Sequence, residues 1–423
     1  MLITINKTKI VEPDTSEVVI KYGILGKEFN LISGSVDLPD KGLVVLEGIS
    51  GSGKTVCLRE IAQTLNQCII KIHQNGSNYE GNTSKLKDYI EGRVPYSLLA
   101  SCGLSDIVTL LTPIQYLSDG QKYRLCLAET INILGNAPLI IDEFCNQLDE
   151  ISTIGILKLI RRLANDRLIV VATARPYGLQ YVKCDKLYRI KAGKIIERTV
   201  NNISLTDDIT WYRGNKKDWE YFSQWHYRSG SAGLANNILV FKYKNDYEVG
   251  CIIGGQPYLD ISCRNKLYPH YKKNGVVVNQ DIYQIHRIVI SPEFRGLGLS
   301  KLMFDKMHEL YYAPKNKKMV ELITSLDEYI PFAKKAGFTL GGELPPNPVR
   351  ERLLKLNFDF TRFTQDEYVK QFVLDNETTL TKAVIASYNR GMSGDFKPTL
   401  EEVVFNVQRM CNVKTSYYYK RFD

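Results

Sequence analysis

Gly48-Ile49-Ser50-Gly51-Ser52-Gly53-Lys54-Thr55 is the stretch that decides how this chain folds. Leu43-Val44-Val45-Leu46, before it, reads as a buried strand, and Val56-Cys57-Leu58-Arg59-Glu60-Ile61, after it, reads as a helix. Strand, glycine loop and helix N-terminus together make a phosphate cradle, because backbone N–H groups point inward and the helix dipole favours anions. Lys54 is placed to reach the β- and γ-phosphates of a nucleotide and Thr55 to hold Mg²⁺. Gly48, Ser50, Gly51, Ser52, Gly53, Lys54 and Thr55 are therefore the expected phosphate-loop contacts.

Pro138-Leu139-Ile140-Ile141-Asp142-Glu143 is an apolar strand that ends in two carboxylates. In a phosphate-loop fold such a strand lies beside the first, so its tip meets the phosphates. Asp142 is expected in the Mg²⁺ shell, and Glu143 is expected to orient or activate the attacking water.

Leu117-Ser118-Asp119-Gly120-Gln121 leads into a helix from Lys122 to Ile133, and its glycine lies 22 residues before Asp142. With this motif the chain resembles the ABC ATPase superfamily, whose signature reads Leu-Ser-Gly-Gly-Gln. Asp119 replaces one glycine. The resemblance implies that Ser118, Asp119, Gly120 and Gln121 contact the ATP held by the phosphate loop of a second subunit, so an ATP-dependent homodimer is expected. It also makes Leu148-Asp149 the loop after the carboxylate strand, with Asp149 near nucleotide, and Gln74 the glutamine that follows the strand Cys68–Ile72. The resemblance covers roughly residues 15–195. One departure stands out: the family's histidine after the next strand is absent, since Leu168–Thr173 is followed by Ala174 and Arg175. Either Arg175 serves as the γ-phosphate sensor or hydrolysis is slow. The short path from phosphate loop to signature leaves little room for a transporter's helical arm.

Composition agrees with a globular chain of two or three domains: 423 residues, 44% of them apolar, with no run long enough to span a bilayer. Nine cysteines are scattered singly, without a C-x-x-C pair, which predicts reduced thiols and a cytoplasmic location; Cys57, Cys68, Cys126 and Cys251 are expected to be buried. The net charge is +9, of which +6 falls in residues 201–423, so a polyanionic partner is a reasonable expectation.

The alternation of elements predicts an α/β fold: an ATP-binding domain over 1–203, a polar linker over 201–210, a second mixed-sheet domain over 211–345 and a mainly helical extension over 346–423. In the second domain, Gln284–Ile290 reads as a strand, followed by the turn Ser291-Pro292-Glu293-Phe294-Arg295-Gly296-Leu297-Gly298-Leu299-Ser300 and a helix from Lys301 to Tyr311. No Gly-Lys-Ser/Thr is present, so this is not a second nucleotide loop of the first kind. Two strands, Asn237–Tyr243 and Val249–Gly254, precede it, and Met319–Thr324 and the Gly337-Phe338 turn follow it.

These features resemble the GNAT acyltransferases, whose pyrophosphate loop reads Arg/Gln-x-x-Gly-x-Gly/Ala. Arg295 and Gly298 match, and Ser300 stands where Gly or Ala is usual. The resemblance implies an acetyl-CoA or other acyl-CoA donor contacted by Ile288, Ile290, Arg295, Gly296, Leu297, Gly298, Leu299 and Ser300. It implies a splayed strand pair between which the pantetheine arm lies. The family's usual tyrosine acid position is Ala333 here, and Tyr329, one helical turn earlier, is the candidate. The string Trp225-His226-Tyr227-Arg228 resembles a motif of Mom-type phage DNA-modification proteins, which are GNAT-like; it makes His226 and Tyr227 candidates for the acceptor pocket, with a core histidine as the other reading. Trp211, Trp219 and Trp225, interleaved with cations, suit base stacking or the core of a short helix. Tyr417-Tyr418-Tyr419-Lys420-Arg421 reads as a solvated tail, with a nucleic-acid contact as the other reading.

The sequence thus predicts an ATP-dependent acyltransferase that clamps and modifies a DNA or RNA base, with no membrane partner. Two alternatives stay open: an ATP-regulated protein or small-molecule acetyltransferase, and a nucleic-acid clamp with a degenerate GNAT domain.

Overall fold

The computed structural model describes residues 1–10, 21, 28–70, 79–226, 235–326, 331–388, 398–411 and 413–422. Two seven-stranded sheets organise the chain. The first contains β1 (Leu2–Ile10), β2 (Glu28–Asp37), β3 (Gly42–Glu47), β4 (Leu139–Ile141), β5 (Leu168–Thr173), β6 (Lys186–Lys191) and β7 (Lys194–Arg198), in the order β1-β2-β7-β6-β3-β5-β4. Its centre is parallel: β3 pairs with β5 from Gly42↔Leu168 to Glu47↔Thr173, and β4 pairs with β5 from Leu139↔Ile169 to Ile141↔Val171.

Every residue of β3, β4 and β5 is buried. A parallel sheet covered on both faces needs apolar side chains on both, which is why these strands read as unbroken apolar runs. Successive side chains of β3 divide between two cores. Val44 and Leu46 pack with Cys57, Leu58 and Ile61 of the Lys54–Thr64 helix. Leu43 and Val45 pack with Leu125 and Leu127 of the Asp119–Leu134 helix and with Ile156 and Leu157 of the Glu150–Leu163 helix.

The second sheet contains β8 (Ile209–Arg213), β9 (Ala235–Tyr243), β10 (Tyr247–Gly255), β11 (Ile282–Ile290), β12 (Met319–Thr324), β13 (Thr339–Glu343) and β14 (Ser416–Arg421), in the order β13-β14-β12-β11-β10-β9-β8. β11 and β12 are parallel and pair only from Ile282↔Met319 to Ile285↔Leu322; beyond that point each strand continues without the other. β14 is antiparallel to β12 along its whole length and to β13 on its other side.

By compactness the chain divides into one unit of Met1–Tyr212, Phe241–Gly250 and Ile290–Leu302, and a second of Arg213–Val240, Cys251–Val289 and Met303–Asp423. Sequence reasoning placed the hairpin tip and the second glycine turn with the later residues.

Three further expectations are corrected. Tyr417–Arg421 is not a solvated tail but β14, an interior strand with Tyr417 and Tyr418 fully buried; tyrosine's fit to a pleated, buried surface outweighs the cations beside it. Residues 201–210 are not a bare linker: Ser204 caps a 3₁₀ turn over Leu205–Asp208, Leu205 is buried, and β8 starts at Ile209. Cys68 is exposed, unlike Cys57, Cys126 and Cys251.

Between β13 and β14 run the helices Pro348–Lys355, Asp366–Asp375, Glu377–Tyr388 and Leu400–Cys411. They enclose a core of their own around Val349, Leu353, Val369, Val373, Leu380 and Val407. Among the described residues no helix is long and apolar enough to cross a membrane.

Candidate nucleotide site

β3 ends in Glu47, a buried carboxylate held by Arg189 Nε at 2.6 Å and by Arg198. That double ion pair fixes the point where the chain leaves the sheet. Gly48 follows, and only glycine fits there: an added Cβ would lie 2.6 Å from the Ile190 carbonyl oxygen and 2.6 Å from Ser52 Oγ. Gly53 has φ +102° and opens the Lys54–Thr64 helix, a conformation that side chains resist.

Inside the loop, Lys54 is only 8% exposed and donates to the Gly48 carbonyl at 2.8 Å and the Ile49 carbonyl at 2.9 Å. Burial pulls its pKa below the ordinary lysine value, while Asp142 and Glu143 push the other way. Ser52 Oγ is buried and has no hydrogen-bond partner. A buried unpaired hydroxyl is costly, and in a loop of this shape it is a donor facing a phosphate position. Thr55 Oγ1 donates to Asp142 Oδ2 at 2.7 Å, which brings together the two residues expected to bind metal from positions 87 apart in the chain. Hard oxygen donors of this kind suit Mg²⁺. Asp142 also accepts the Glu143 N–H at 2.9 Å on its other oxygen. Glu143 has φ +52°, so the chain turns sharply and leaves its carboxylate exposed beside the loop. Ser50 and Gly51 sit exposed at the tip.

The signature residues form a capping box: Gln121 N donates to Ser118 Oγ at 3.3 Å, and Ser118 N donates to Gln121 Oε1 at 2.9 Å. Gln121 Nε2 also donates to Thr109 Oγ1 at 3.0 Å. Ser118 and Asp119 are exposed, and Gly120 is held close to Leu148. Asp149 caps the Glu150–Leu163 helix, accepting from Ser152 N and Ser152 Oγ, both at 2.8 Å. After β5, Thr173 Oγ1 accepts the Arg175 N–H at 3.0 Å and donates to the Arg175 carbonyl, which leaves the Arg175 side chain exposed. Gln74 lies outside the described residues.

The second glycine turn has a different construction. Arg295 Nε donates back to the Ile290 carbonyl at 3.1 Å, and burial lowers the Arg295 pKa. Gly296 and Gly298 are exposed with φ +82° and +79°, while Leu297 and Leu299 are buried and Ser300 is half-buried. Ile288 and Ile290, both half-buried, lie on the part of β11 that has left β12.

His226 is half-buried, with its ring edge-on to Trp219 at 5.6 Å. Trp219 is 3% exposed and packs with Phe222, Val240, Cys251 and Val289; Trp225 packs against the same cluster. For these two tryptophans the core reading holds; Trp211, on β8, is 39% exposed. Tyr227 and Tyr329 lie outside the described residues. Ala333 is fully buried.

Sequence reasoning missed a buried network in the second unit. Arg264 Nη1 donates to Glu321 Oε1 at 2.8 Å, Tyr417 OH donates to Glu321 Oε2 at 3.0 Å, and all three side chains are fully buried. Arg264 Nη2 donates to the Tyr258 and Leu259 carbonyls. Burial drives the Glu321 carboxyl up to about 7 against the opposing pull of Arg264 and Tyr417. The one available signal was a glutamate inside the otherwise apolar run Met319-Val320-Glu321-Leu322-Ile323.

No protein-family model matches the chain. It is 38% identical over 96 residues to the phosphate import ATP-binding protein PstB of Leifsonia xyli subsp. xyli, across 22% of this chain and 37% of that protein. It is 30% identical over 174 residues to the protein of the same name from Borreliella burgdorferi, across 38% of this chain and 61% of that protein. The chain thus spans from about a third to three-fifths of the length of these curated relatives. Solved structures similar to it include the dimeric post-hydrolysis state of the ATP-binding cassette MJ0796 bound to ADP and Pi, at 16% identity and TM-score 0.34, over 48% of this chain and all of that one. Another is cbiO1 from Clostridium perfringens, at 19% identity and TM-score 0.29, over 45% of this chain and 86% of that one. On its motifs, their geometry and the curated relatives, a stretch of this chain amounting to as much as 38% of its length is similar to ABC-type ATP-binding proteins.

Proposed function

We propose that this chain hydrolyses ATP as a dimer and couples that cycle to acyl transfer from an acyl-CoA donor to a nucleic-acid base. The observation that carries the second half is the β11–β12 pair. The two strands are parallel and central, and they part after Ile285 and Leu322. The parted strand ends in the Arg295–Ser300 turn and the Leu299–Met307 helix. That splayed pair, with β14 inserted antiparallel between β12 and β13, supports the GNAT reading.

At the nucleotide site Lys54 would exchange its two loop carbonyls for phosphate oxygens, and Ser52 would gain the acceptor it lacks. Thr55 and Asp142 would hold Mg²⁺. When bound, that ion supplies charge neutralisation between the β- and γ-phosphates. Glu143 would take a proton from the attacking water. Ile49 in the loop is 80% exposed, and Tyr116, just before the signature, is 73% exposed. Large apolar side chains this open beside polar motifs suit cover by a second copy, which supports the ATP-dependent dimer.

Nucleic acid as acceptor rests on the basic second half of the chain and on physical sense: a stacked base must be extruded before its amine is reachable, and an ATP-driven clamp suits that work. His226 is the described acceptor-side candidate, with Tyr227 and Tyr329 as proposed partners. One observation favours a clamp without acyl transfer: Lys158 Nζ donates to the Leu297 carbonyl at 3.2 Å, so the second turn is engaged by the ATPase helix Glu150–Leu163.

The test follows ATP hydrolysis and thioester loss from acetyl-CoA together, with and without DNA or RNA. Stimulation of both by nucleic acid, with acyl label on the polymer, is the expected result. Stimulated ATP turnover with acetyl-CoA untouched overturns acetyl transfer and leaves the clamp.

A further inference from the structure

Where β11 and β12 begin, the second unit gathers cations from three separate segments. Lys272 and Lys273 follow the 3₁₀ turn Pro269–Tyr271, Lys315, Lys317 and Lys318 lead into β12, and Arg421 ends β14. Strand register joins the last two groups, because Met319 pairs with Ile282 on one side and with Arg421 on the other. Asp281 ties in the first group: it is buried, accepts from Tyr271 OH at 3.2 Å and pairs with Lys318 Nζ at 3.1 Å. None of these residues belongs to the second glycine turn, to the signature or to the Trp225–Arg228 string.

Positive charge is in excess at this end of the sheet. Lys272, Lys273 and Lys315 are exposed and make no ion pair among the described residues. Lys317 rests on the Asn279 and Gln280 carbonyls; burial and then Lys315 pull its pKa below the ordinary lysine value, against the opposing pull of Asp281. Like charges gathered this way repel one another, and an anion laid across them relieves the repulsion. Aromatic rings lie among the cations. Arg421 Cζ sits 5.7 Å from the centre of the Tyr268 ring, which is edge-on to Tyr419 at 5.6 Å. His270 is exposed, with its ring 4.0 Å from that of Tyr271. Phe422 is half-buried and stacks on His308 at 4.5 Å. Beneath the turn, Tyr271, Val278, Ile282 and Met319 form a buried cluster that anchors it to the sheet.

Exposed cations suit phosphates, and rings already braced by their neighbours take bases at little ordering cost. We propose that this end of the second sheet binds single-stranded nucleic acid, with Lys272, Lys273, Lys315 and Arg421 on the phosphates and His270 and Phe422 against the bases. A duplex would use the cations but leave the rings idle, because its bases are stacked on one another. The second unit thus grips the polymer itself, in addition to any grip that the ATP-dependent dimer supplies. The inference deepens the nucleic-acid half of the proposed function and rests on it; it does not rest on acyl transfer.

The test is fluorescence anisotropy on the full chain, with labelled single-stranded DNA, single-stranded RNA and duplex DNA of one sequence, and with vesicles containing phosphatidylserine as a competing polyanion. The triple variant Lys272→Glu/Lys273→Glu/Lys315→Glu should weaken single-strand binding at least tenfold and flatten its salt dependence by about 0.7 per lost phosphate contact. His270→Ala should weaken it about threefold or more through lost stacking. The control Lys216→Glu/Lys217→Glu, on an exposed helix of the same unit, should leave it within about twofold of the parent, and ATP hydrolysis without polymer should be unchanged in all three variants. The stronger of the DNA and RNA arms identifies the natural polymer. If the parent binds neither single strand, this inference falls together with nucleic acid as acceptor. If the parent binds and the triple variant binds equally well, or no worse than the control, this surface alone is overturned and the acceptor reading stands. Tighter binding of the duplex, or a triple variant that loses only the vesicles, also overturns it.

Discussion

Both sheets bury a carboxylate, and they treat it in opposite ways. Asp142, at the tip of β4, is 2% exposed, yet its neighbourhood is left open: Ser52 Oγ has no partner, and the Lys54 ammonium rests on two carbonyls rather than on a carboxylate. Glu321, in the middle of β12, has both oxygens bonded, by Arg264 and Tyr417, and of that network only Arg264 Nε lacks a partner. An incomplete polar cluster at a loop waits for a ligand; a nearly complete one inside a sheet holds segments together. Arg264, Glu321 and Tyr417 come from three distant parts of the second unit, and their bonds specify which strand neighbours β12.

That contrast can be broken experimentally. Glu143→Gln should reduce ATP hydrolysis by about 10²–10⁴-fold while leaving nucleotide binding intact; phosphate release and calorimetry read the two separately, and an unaffected rate would show that the open cluster is not catalytic. Glu321→Ala should cost about 3–5 kcal/mol of stability, because it strands a buried guanidinium; chemical denaturation measures this, and a loss under 1 kcal/mol would mean the closed network holds nothing.

The pH dependence sharpens the same contrast. Glu321 titrates near 7 when folded and near 4.5 when unfolded, so the folded state binds the extra proton between those values. Its contribution is fully present below about pH 4.5 and is lost as pH rises through 7. Glu321→Gln should flatten that part of the stability profile, and a profile identical to the parent's would refute it. The smallest effect belongs to Ser118→Ala, which removes a helix cap at about 1 kcal/mol. If the signature serves a second subunit, this change should also weaken ATP-dependent dimerisation in light scattering.

Much of the first unit was legible because its chemistry is local. Gly48–Thr55 and Asp142-Glu143 sit where their strands end, and apolar runs flanking them reveal the parallel core. The helical character of residues 346–423 was legible too, since the helices from Asp366, Glu377 and Leu400 each bury one face at helical spacing. Other features depend on neighbours far away in the chain. Tyr417–Tyr419 looks like a tail until β12 and β13 lie on either side of it. Trp219 and Trp225 look like a stacking platform until Val240, Cys251 and Val289 enclose them. Glu321 and Arg264 each look ordinary until folding closes 57 residues between them. No periodicity records such pairings, because they are set by the whole sheet.

The position of β14 has a consequence for how the chain is made. A ribosome that has released the first 400 residues has delivered every strand of the second sheet except the one between β12 and β13. Until Ser416–Arg421 emerge, both neighbours carry unpaired edges and Glu321 awaits the Tyr417 hydroxyl. Open edges of this kind recruit other chains, so nascent copies on crowded polysomes would be at risk of sticking to one another, and a chaperone covering them until that strand emerges would raise the yield.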